Sequence, residues 1–133
     1  MSAELRQTVA IYAHALDELN VPALETVLTE DTTWTFTMPG KPTLGPVTGR
    51  VAVLDFIRAG HAARTGRVRH HLGNVVVTTT DAATAEARAY LLQTTNTGEH
   101  IQMVSTGVYT FGLRRSDGRW RIAELALALD NAL

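Results

Sequence analysis

The chain has 133 residues, of which 45% are hydrophobic and 19% are charged, and this is the composition of one globular domain rather than of a disordered segment. Its formal net charge of −1, without a basic cluster, argues against a nucleic-acid partner. The absence of cysteine excludes disulfides, thiolate nucleophiles and cysteine metal sites.

The N-terminal part of the chain is predicted to form two helices. Apolar side chains recur at helical spacing in the first of them, at Leu5, Val9, Tyr12, Leu16 and Leu19. This helix is expected to stop near Asn20, because Pro22 follows closely. Asn20 then caps a second, short helix that has Pro22 in its first turn and turns its apolar residues inward.

A strand and a loop separate the second helix from a third. Trp34, Phe36 and Met38 alternate with threonines, which is typical of a strand with one apolar face. Residues 39–49 are rich in glycine and proline and predict a loop. The third helix is predicted from Arg50 to about Ala63.

The rest of the chain predicts four long strands joined by short turns, and therefore an antiparallel meander. The strands are predicted over Val68–Thr79, Thr84–Thr95, Ile101–Leu113 and Trp120–Leu129. Three helices cannot cover both faces of such a sheet. We therefore expect one α+β domain over residues 1–133, a cone in which a curved antiparallel sheet wraps around the three helices. The open end of a curved sheet is a common place for a small-molecule pocket.

Four blocks of sequence carry a resemblance to a known family. They are residues 11–20 with Leu24 and 30–32, residues 69–75, residues 107–109 and residues 117–122. In this order and spacing they resemble the nuclear transport factor 2-like superfamily, and residues 69–75 resemble the central strand of its SnoaL-like members. The resemblance covers nearly the whole chain and implies the cone-shaped, cystatin-like α+β barrel fold. Because this fold hosts enzymes and non-catalytic binders alike, it does not determine the activity.

The subfamilies differ in how well this chain matches their sites. The resemblance is closest to two groups of dehydratases. The helix aspartate of scytalone dehydratase matches Asp17 and its strand histidine matches His70. The bile acid dehydratases use a tyrosine, an aspartate and a histidine, which match Tyr12, Asp17 and His70. The second histidine of scytalone dehydratase would fall near Thr95. The general base of ketosteroid isomerase would fall at Phe36, which sets that subfamily aside.

Two adjacent histidines on a strand point to opposite faces, so His70 and His71 cannot both bind one metal ion. We expect no metal site and no cofactor. Strand parity groups His70 with Val68, Leu72, Asn74 and Val76, and the resemblance to the dehydratases puts this set inside the cone. Each of the three residues also has a purely structural explanation. Asp17 could be a solvated residue at the flank of the helix, His70 a hydrogen-bonded histidine of the core, and Tyr12 an ordinary core residue.

The resemblance implies a cofactor-independent acid–base enzyme of bacterial secondary metabolism, acting on a small apolar ring compound of polyketide, terpenoid or steroid type. His70 moves the proton, Asp17 supports it and Tyr12 donates a hydrogen bond to the substrate, in a dehydratase, another lyase, an isomerase or a polyketide cyclase. A mostly apolar pocket is expected, lined further by Trp34, Phe36, Leu54, Leu72, Asn74, Met103 and Tyr109. The alternatives are a non-catalytic binding protein with the same pocket, a pocket filled by side chains, and an epoxide hydrolase. Limonene epoxide hydrolase has an Asp-Arg-Asp group around a water molecule, and of these three residues this chain offers only the arginine, as Arg88.

The first residues do not resemble a signal peptide and no apolar run is long enough to span a bilayer, so we expect a cytoplasmic protein.

Helices on one face of the sheet leave apolar strand residues on the other. We therefore expect a homodimer through the convex side of the sheet, with Val75, Val77 and Leu92 in the contact.

Overall fold

The computed structural model describes residues 2–79 and 81–133. The helices are α1 (Ser2–Glu18), α2 (Val21–Val27) and α3 (Arg50–Ala62), and the strands are β1 (Leu28–Thr37), β2 (Leu44–Thr48), β3 (Arg67–Thr79), β4 (Thr84–Asn96), β5 (Ile101–Ser116) and β6 (Arg119–Leu129). The three predicted helices and the four C-terminal strands are confirmed. No helix in the described part of the chain is long and apolar enough to cross a membrane.

The junction between α1 and α2 has the structure that its sequence predicts. Leu19 takes a left-handed backbone with φ of 51°, which ends α1. The side chain of Asn20 then accepts a hydrogen bond from the main-chain N–H of Ala23 at 3.2 Å, and Pro22 occupies the first turn of α2. A capping oxygen satisfies a donor that the first turn of a helix leaves free.

The strands form one curved, unclosed sheet in the order β2-β1-β6-β5-β4-β3. Every neighbouring pair is antiparallel except β1 and β6, which run parallel. The segment predicted as a loop contains β2, which pairs with β1 at the edge of the sheet. Pro46 lies within β2, and an edge strand tolerates proline because one of its sides needs no partner.

The core lies between the helices and the concave face of the sheet. Alternate residues of β4 and β5 point into it, since a strand presents every second side chain to one face. Three aromatic rings meet at its centre, with the Tyr12 centroid 6.3 Å from that of Tyr109 and 6.1 Å from that of Phe111. All three side chains are buried.

The predicted orientation of β3 is correct up to Leu72 and wrong beyond it. The register of β3 against β4 shifts between Gly73 and Val76, and Asn74 has φ of 53°. Such a bulge inserts an extra residue and reverses the alternation of side chains. Asn74 and Val76 are therefore exposed, and the predicted outward-facing residues Val75 and Val77 pack against the core instead.

Candidate functional site

Asp17 and His70 form a two-point contact between α1 and β3. One carboxylate oxygen, Oδ1, lies 2.5 Å from Nδ1 of the imidazole. The other, Oδ2, accepts the main-chain N–H of His70 at 2.8 Å. The two side chains are only 6% and 10% exposed. The structure therefore brings together the two residues that the resemblance selected, although they are far apart in the sequence.

The position of β3 explains this contact. As the last strand in the sheet order, β3 has one side without a neighbouring strand, and α1 packs beside it. A carboxylate in the last turn of α1 can therefore accept an N–H that points away from the sheet. Because an ionised carboxylate only accepts hydrogen bonds, the ring of His70 donates from Nδ1. Its Nε2 is then left with a lone pair, as an acid–base histidine requires.

Arg64 completes the charged group at the end of α1. Its Nη1 lies 3.4 Å from the carbonyl oxygen of Asp17 and 3.7 Å from Oδ1, and its side chain is 17% exposed. The turn that carries it is fixed to β4, because Thr95 donates a hydrogen bond to the carbonyl of Thr65 at 3.0 Å. Sequence reasoning missed Arg64, since a single arginine in a turn carries no pattern.

Tyr12 lies inward of this pair, on the same helix as Asp17. It is 1% exposed, and its hydroxyl makes no hydrogen bond within the described part of the chain. Burial raises the pKa of Tyr12 far above its usual value. The indole N–H of Trp34, which lies close to the hydroxyl without the geometry of a hydrogen bond, opposes the rise. Burial, followed by the charges of Tyr12 and Asp17, also raises the pKa of Tyr109. Both phenols therefore stay protonated and can act as hydrogen-bond donors.

Asp17, Arg64 and His70 line one cleft of about 1050 Å³ between α1 and β3. Charged and histidine side chains make up much of its border, together with apolar residues such as Val68 and Leu72. The expectation of a mostly apolar pocket is therefore wrong for this cleft. It was based on the apolar face of the sheet, which is largely used by the core.

The other predicted lining residues lie away from the cleft. Trp34, Leu54 and Tyr109 are buried in the core, while Phe36 is partly buried, with its ring centroid 5.6 Å from that of Trp34. The remaining two are exposed: Asn74 lies beyond the bulge and Met103, at 81% exposure, lies near the start of β5. Leu72 is the one member of the predicted apolar set that lines the cleft among the described residues.

The neighbouring histidine has different surroundings. The ring of His71 is hydrogen-bonded through Nε2 to the hydroxyl of Thr94 at 3.0 Å, on an exposed part of the sheet. The predicted opposite orientation of His70 and His71 is therefore confirmed.

Within residues 2–79 and 81–133, no group of three or more histidine and carboxylate side chains has an arrangement suited to a metal ion.

A polar row continues from His70 across the concave face. His70 pairs with Gln93 on β4, and Gln93 pairs with Ser105 on β5. The N–H of His70 goes to Asp17, so His70 and Gln93 form the type of strand pair whose side chains are closest. Ser105 donates to Oε1 of Gln93 at 3.3 Å, and the Gln93 amide nitrogen has no partner among the described residues. This row depends on strand register and was not readable from the sequence.

Comparison with solved structures supports the fold. An NTF2-like protein with a cystatin-like fold from Novosphingobium aromaticivorans is 25% identical, with 96% of this chain and 80% of that chain covered and a TM-score of 0.76. A protein from Catenulispora acidiphila, in complex with S-DNPA, is 24% identical, with 96% and 92% covered and a TM-score of 0.79. Aln2 from a Streptomyces species is 18% identical, with 96% and 89% covered and a TM-score of 0.81.

Sequence comparison gives the family itself. No protein with a curated description matches this sequence. The family model described as SnoaL-like domain matches residues 2–126, which is nearly the whole chain. The resemblance to the nuclear transport factor 2-like superfamily is thereby confirmed, and the chain belongs to the family of SnoaL-like domains.

Proposed function

We propose that this protein is a cofactor-independent acid–base enzyme that moves a proton next to the carbonyl group of a small ring compound. A dehydratase, an isomerase and a cyclase all begin with such a step, and the polyketide, terpenoid and steroid classes all offer such rings. The observation that supports the proposal best is the double contact between Asp17 and His70. It holds the imidazole in one tautomer and one orientation beside a cleft.

In the dehydratase reaction His70 acts twice. Nε2 first removes a proton from the carbon next to the carbonyl, and the electrons of the C–H bond form an enolate. The imidazolium then gives the same proton to the hydroxyl group on the β-carbon, which leaves as water as the enolate electrons form the carbon–carbon double bond. Histidine suits both steps because its charge changes near neutral pH. Asp17 stabilises the imidazolium that exists between them.

The enolate oxygen needs a donor, and two candidate groups lie near Asp17. The Tyr12 hydroxyl is protonated, is buried and lacks a partner in the described chain. The guanidinium of Arg64 lines the cleft and adds positive charge. Preorganised donors in a site with little water stabilise a developing oxyanion strongly. We assign Arg64, which lines the cleft, the stabilisation of the enolate by its charge. Tyr12 donates the hydrogen bond only to a ligand that reaches inward past Asp17 and His70, because its hydroxyl is buried.

A non-catalytic binding protein is the second candidate. It is favoured by the close packing of Tyr12 with the rings of Tyr109 and Phe111, which leaves the hydroxyl in the core rather than on the cleft surface. The epoxide hydrolase alternative has less support. Both oxygens of Asp17 already bind His70, and Arg88, the arginine considered for that site, lies exposed on β4.

The experiment compares His70→Ala with His71→Ala on a panel of hydroxylated ring ketones. The first change should lower kcat by about 10² to 10⁴, the range for one positioned acid–base group, while ligand binding persists. The second should leave kcat unchanged, because His71 lies on the other face of β3. Full turnover by His70→Ala contradicts the mechanism. Binding of these ketones without turnover by the wild-type protein favours the binding protein instead.

A further inference from the structure

The cleft beside Asp17 gathers most of the histidines of the chain. Four of the five histidines border it, at positions 14, 61, 70 and 71, and so do Arg64, Arg67 and Arg69. Among the described residues, the carboxylates on this border are those of Asp17 and Glu18. Six of these seven side chains lie within residues 61–71, from the end of α3 through the following turn into β3, and the fold adds His14 from α1. The expectation that the chain has no basic cluster is therefore wrong for this segment, which borders the cleft.

The two carboxylates of the cleft do not balance its three arginines. Asp17 is engaged by His70 and Arg64, and Glu18 lies 3.7 Å from His14. Arg67 and Arg69 make no hydrogen bond or ion pair with any described side chain. The smaller second cleft, of about 600 Å³, differs in this respect, because Asp31 is paired there with Arg114.

Arg67 and Arg69 are placed to bind one anion together. They are two residues apart on β3, so their side chains leave the same face of the strand and are neighbours. Their partners on β4 are the uncharged Asn96 and Thr94. Because β3 is an edge strand of the sheet, residues from both of its faces border the cleft along this edge. Two adjacent guanidinium groups suit the planar or tetrahedral oxygens of a carboxylate or phosphate.

We propose that the ligand of this cleft is an anion: a ring compound whose carboxylate or phosphate group is bound by Arg67 and Arg69 at the rim. The ring then lies toward Asp17 and His70. The inference rests on the proposed function only in placing the reacting carbon beside His70. The anion site itself requires no reaction.

The test uses three probes that share one ring: 2-naphthoate, 2-naphthyl phosphate and the uncharged 2-naphthamide. Equilibrium binding is measured by titration calorimetry near neutral pH. At least one anion should bind about tenfold more tightly than the amide, and the comparison of the two anions identifies the preferred group. Because screening weakens exposed charge interactions, raising the salt from about 0.05 M to about 0.5 M should reduce this preference.

Two double variants make the test specific. Arg67→Gln/Arg69→Gln should remove the preference for the anion, while Arg115→Gln/Arg119→Gln, which changes exposed arginines elsewhere, should keep it. Equal binding of the three probes overturns the proposal. So does a preference that survives in Arg67→Gln/Arg69→Gln, and so does a lack of anion binding by the wild-type protein at millimolar concentration.

The outcome is separable from the proposed function. His70→Ala should bind the anionic probe as the wild type does, since His70 does not hold the charged group. If the anion is preferred but His70→Ala retains full turnover, the mechanism fails and the anion site stands. If turnover depends on His70 but the three probes bind equally, the mechanism stands and the anion site fails.

Discussion

Asp17 binds His70 through the imidazole Nδ1 and, with its second oxygen, through the main-chain N–H. These residues are separated by 53 positions in the chain, so the contact joins the end of α1 to the free edge of the sheet. A carboxylate with only 6% of its side chain exposed needs such partners, because burying an unpaired charge is unfavourable. The same contact therefore serves both the packing of α1 and the orientation of the ring.

Asp17→Asn should separate these two roles. The amide oxygen can still accept one hydrogen bond from His70, but a neutral side chain stabilises an imidazolium poorly. We expect kcat to fall by about tenfold or more, but by less than in His70→Ala. The free energy of unfolding should fall by about 1–3 kcal/mol, as expected for a lost charged hydrogen bond. Steady-state kinetics and urea unfolding measure both quantities. Glu25→Gln, an exposed change on α2 away from the cleft, should alter neither. A larger kinetic loss than in His70→Ala contradicts the assignment.

Tyr12→Phe tests whether the unpartnered hydroxyl acts on a substrate. Phenylalanine fills the same space, and removing a buried hydroxyl that has no partner should leave stability unchanged or raise it by up to about 1 kcal/mol. If the hydroxyl donates to the enolate oxygen, kcat should fall by about 10², as for other single oxyanion donors. Tyr90→Phe, on the exposed face of β4, is the control and should change neither value. Unchanged turnover in Tyr12→Phe would make Tyr12 a core residue only.

Alkaline pH should destabilise the fold through Tyr12 and Tyr109. Burial raises the pKa of both phenols, whereas phenols in an unfolded chain ionise near pH 10. Above about pH 10 the native state therefore holds protons that the unfolded state has lost. The free energy of unfolding then falls as pH rises, by up to about 1.4 kcal/mol per pH unit for each phenol, and is unaffected by them at lower pH. In a Tyr90→Phe variant, tyrosinate absorbance should appear together with the loss of near-ultraviolet circular dichroism. Absorbance that appears before the loss of structure contradicts this.

The local sequence predicted the elements of this site better than the contacts between them. Helical spacing identified α1 and placed Asp17 at the margin of its apolar stripe. Strand alternation put His70 on the same face as Val68, and that is correct because both precede the bulge. The meeting of Asp17 with His70 came only from the family resemblance, since nothing local encodes a contact over such a distance.

The missed features all depend on long-range pairing. Arg64 reaches Asp17 because its turn is fixed to β4, and Gln93 adjoins His70 through strand register. The reversal after Leu72 arises from one left-handed residue, Asn74, in a run that otherwise alternates. The strand β2 was hidden for a similar reason, because its glycine and proline favour a loop until β1 supplies hydrogen-bond partners.

The bulge also changes the expected dimer surface, because Val75 and Val77 pack inward. On the convex face, Tyr90 is 59% exposed and pairs in register with Val108, which pairs in turn with Ala128. Such an uncharged row, with an exposed aromatic ring, is unfavourable in water and suits association with a second copy of the chain.

We therefore expect a dimer through the row of Tyr90, Val108 and Ala128. Tyr90→Glu should dissociate it, because the interface would then bury a carboxylate that has no partner. Light scattering at micromolar concentration should give twice the chain mass for the wild type and the single chain mass for this variant. Met103→Glu, also exposed but outside the row, should remain dimeric. A monomeric wild type, or a dimer that withstands Tyr90→Glu and dissociates with Met103→Glu, contradicts this surface. The monomeric variant should keep the Asp17–His70 contact, since the two residues meet on the concave side of the sheet and Tyr90 lies on its convex face. Its circular dichroism should match that of the wild type.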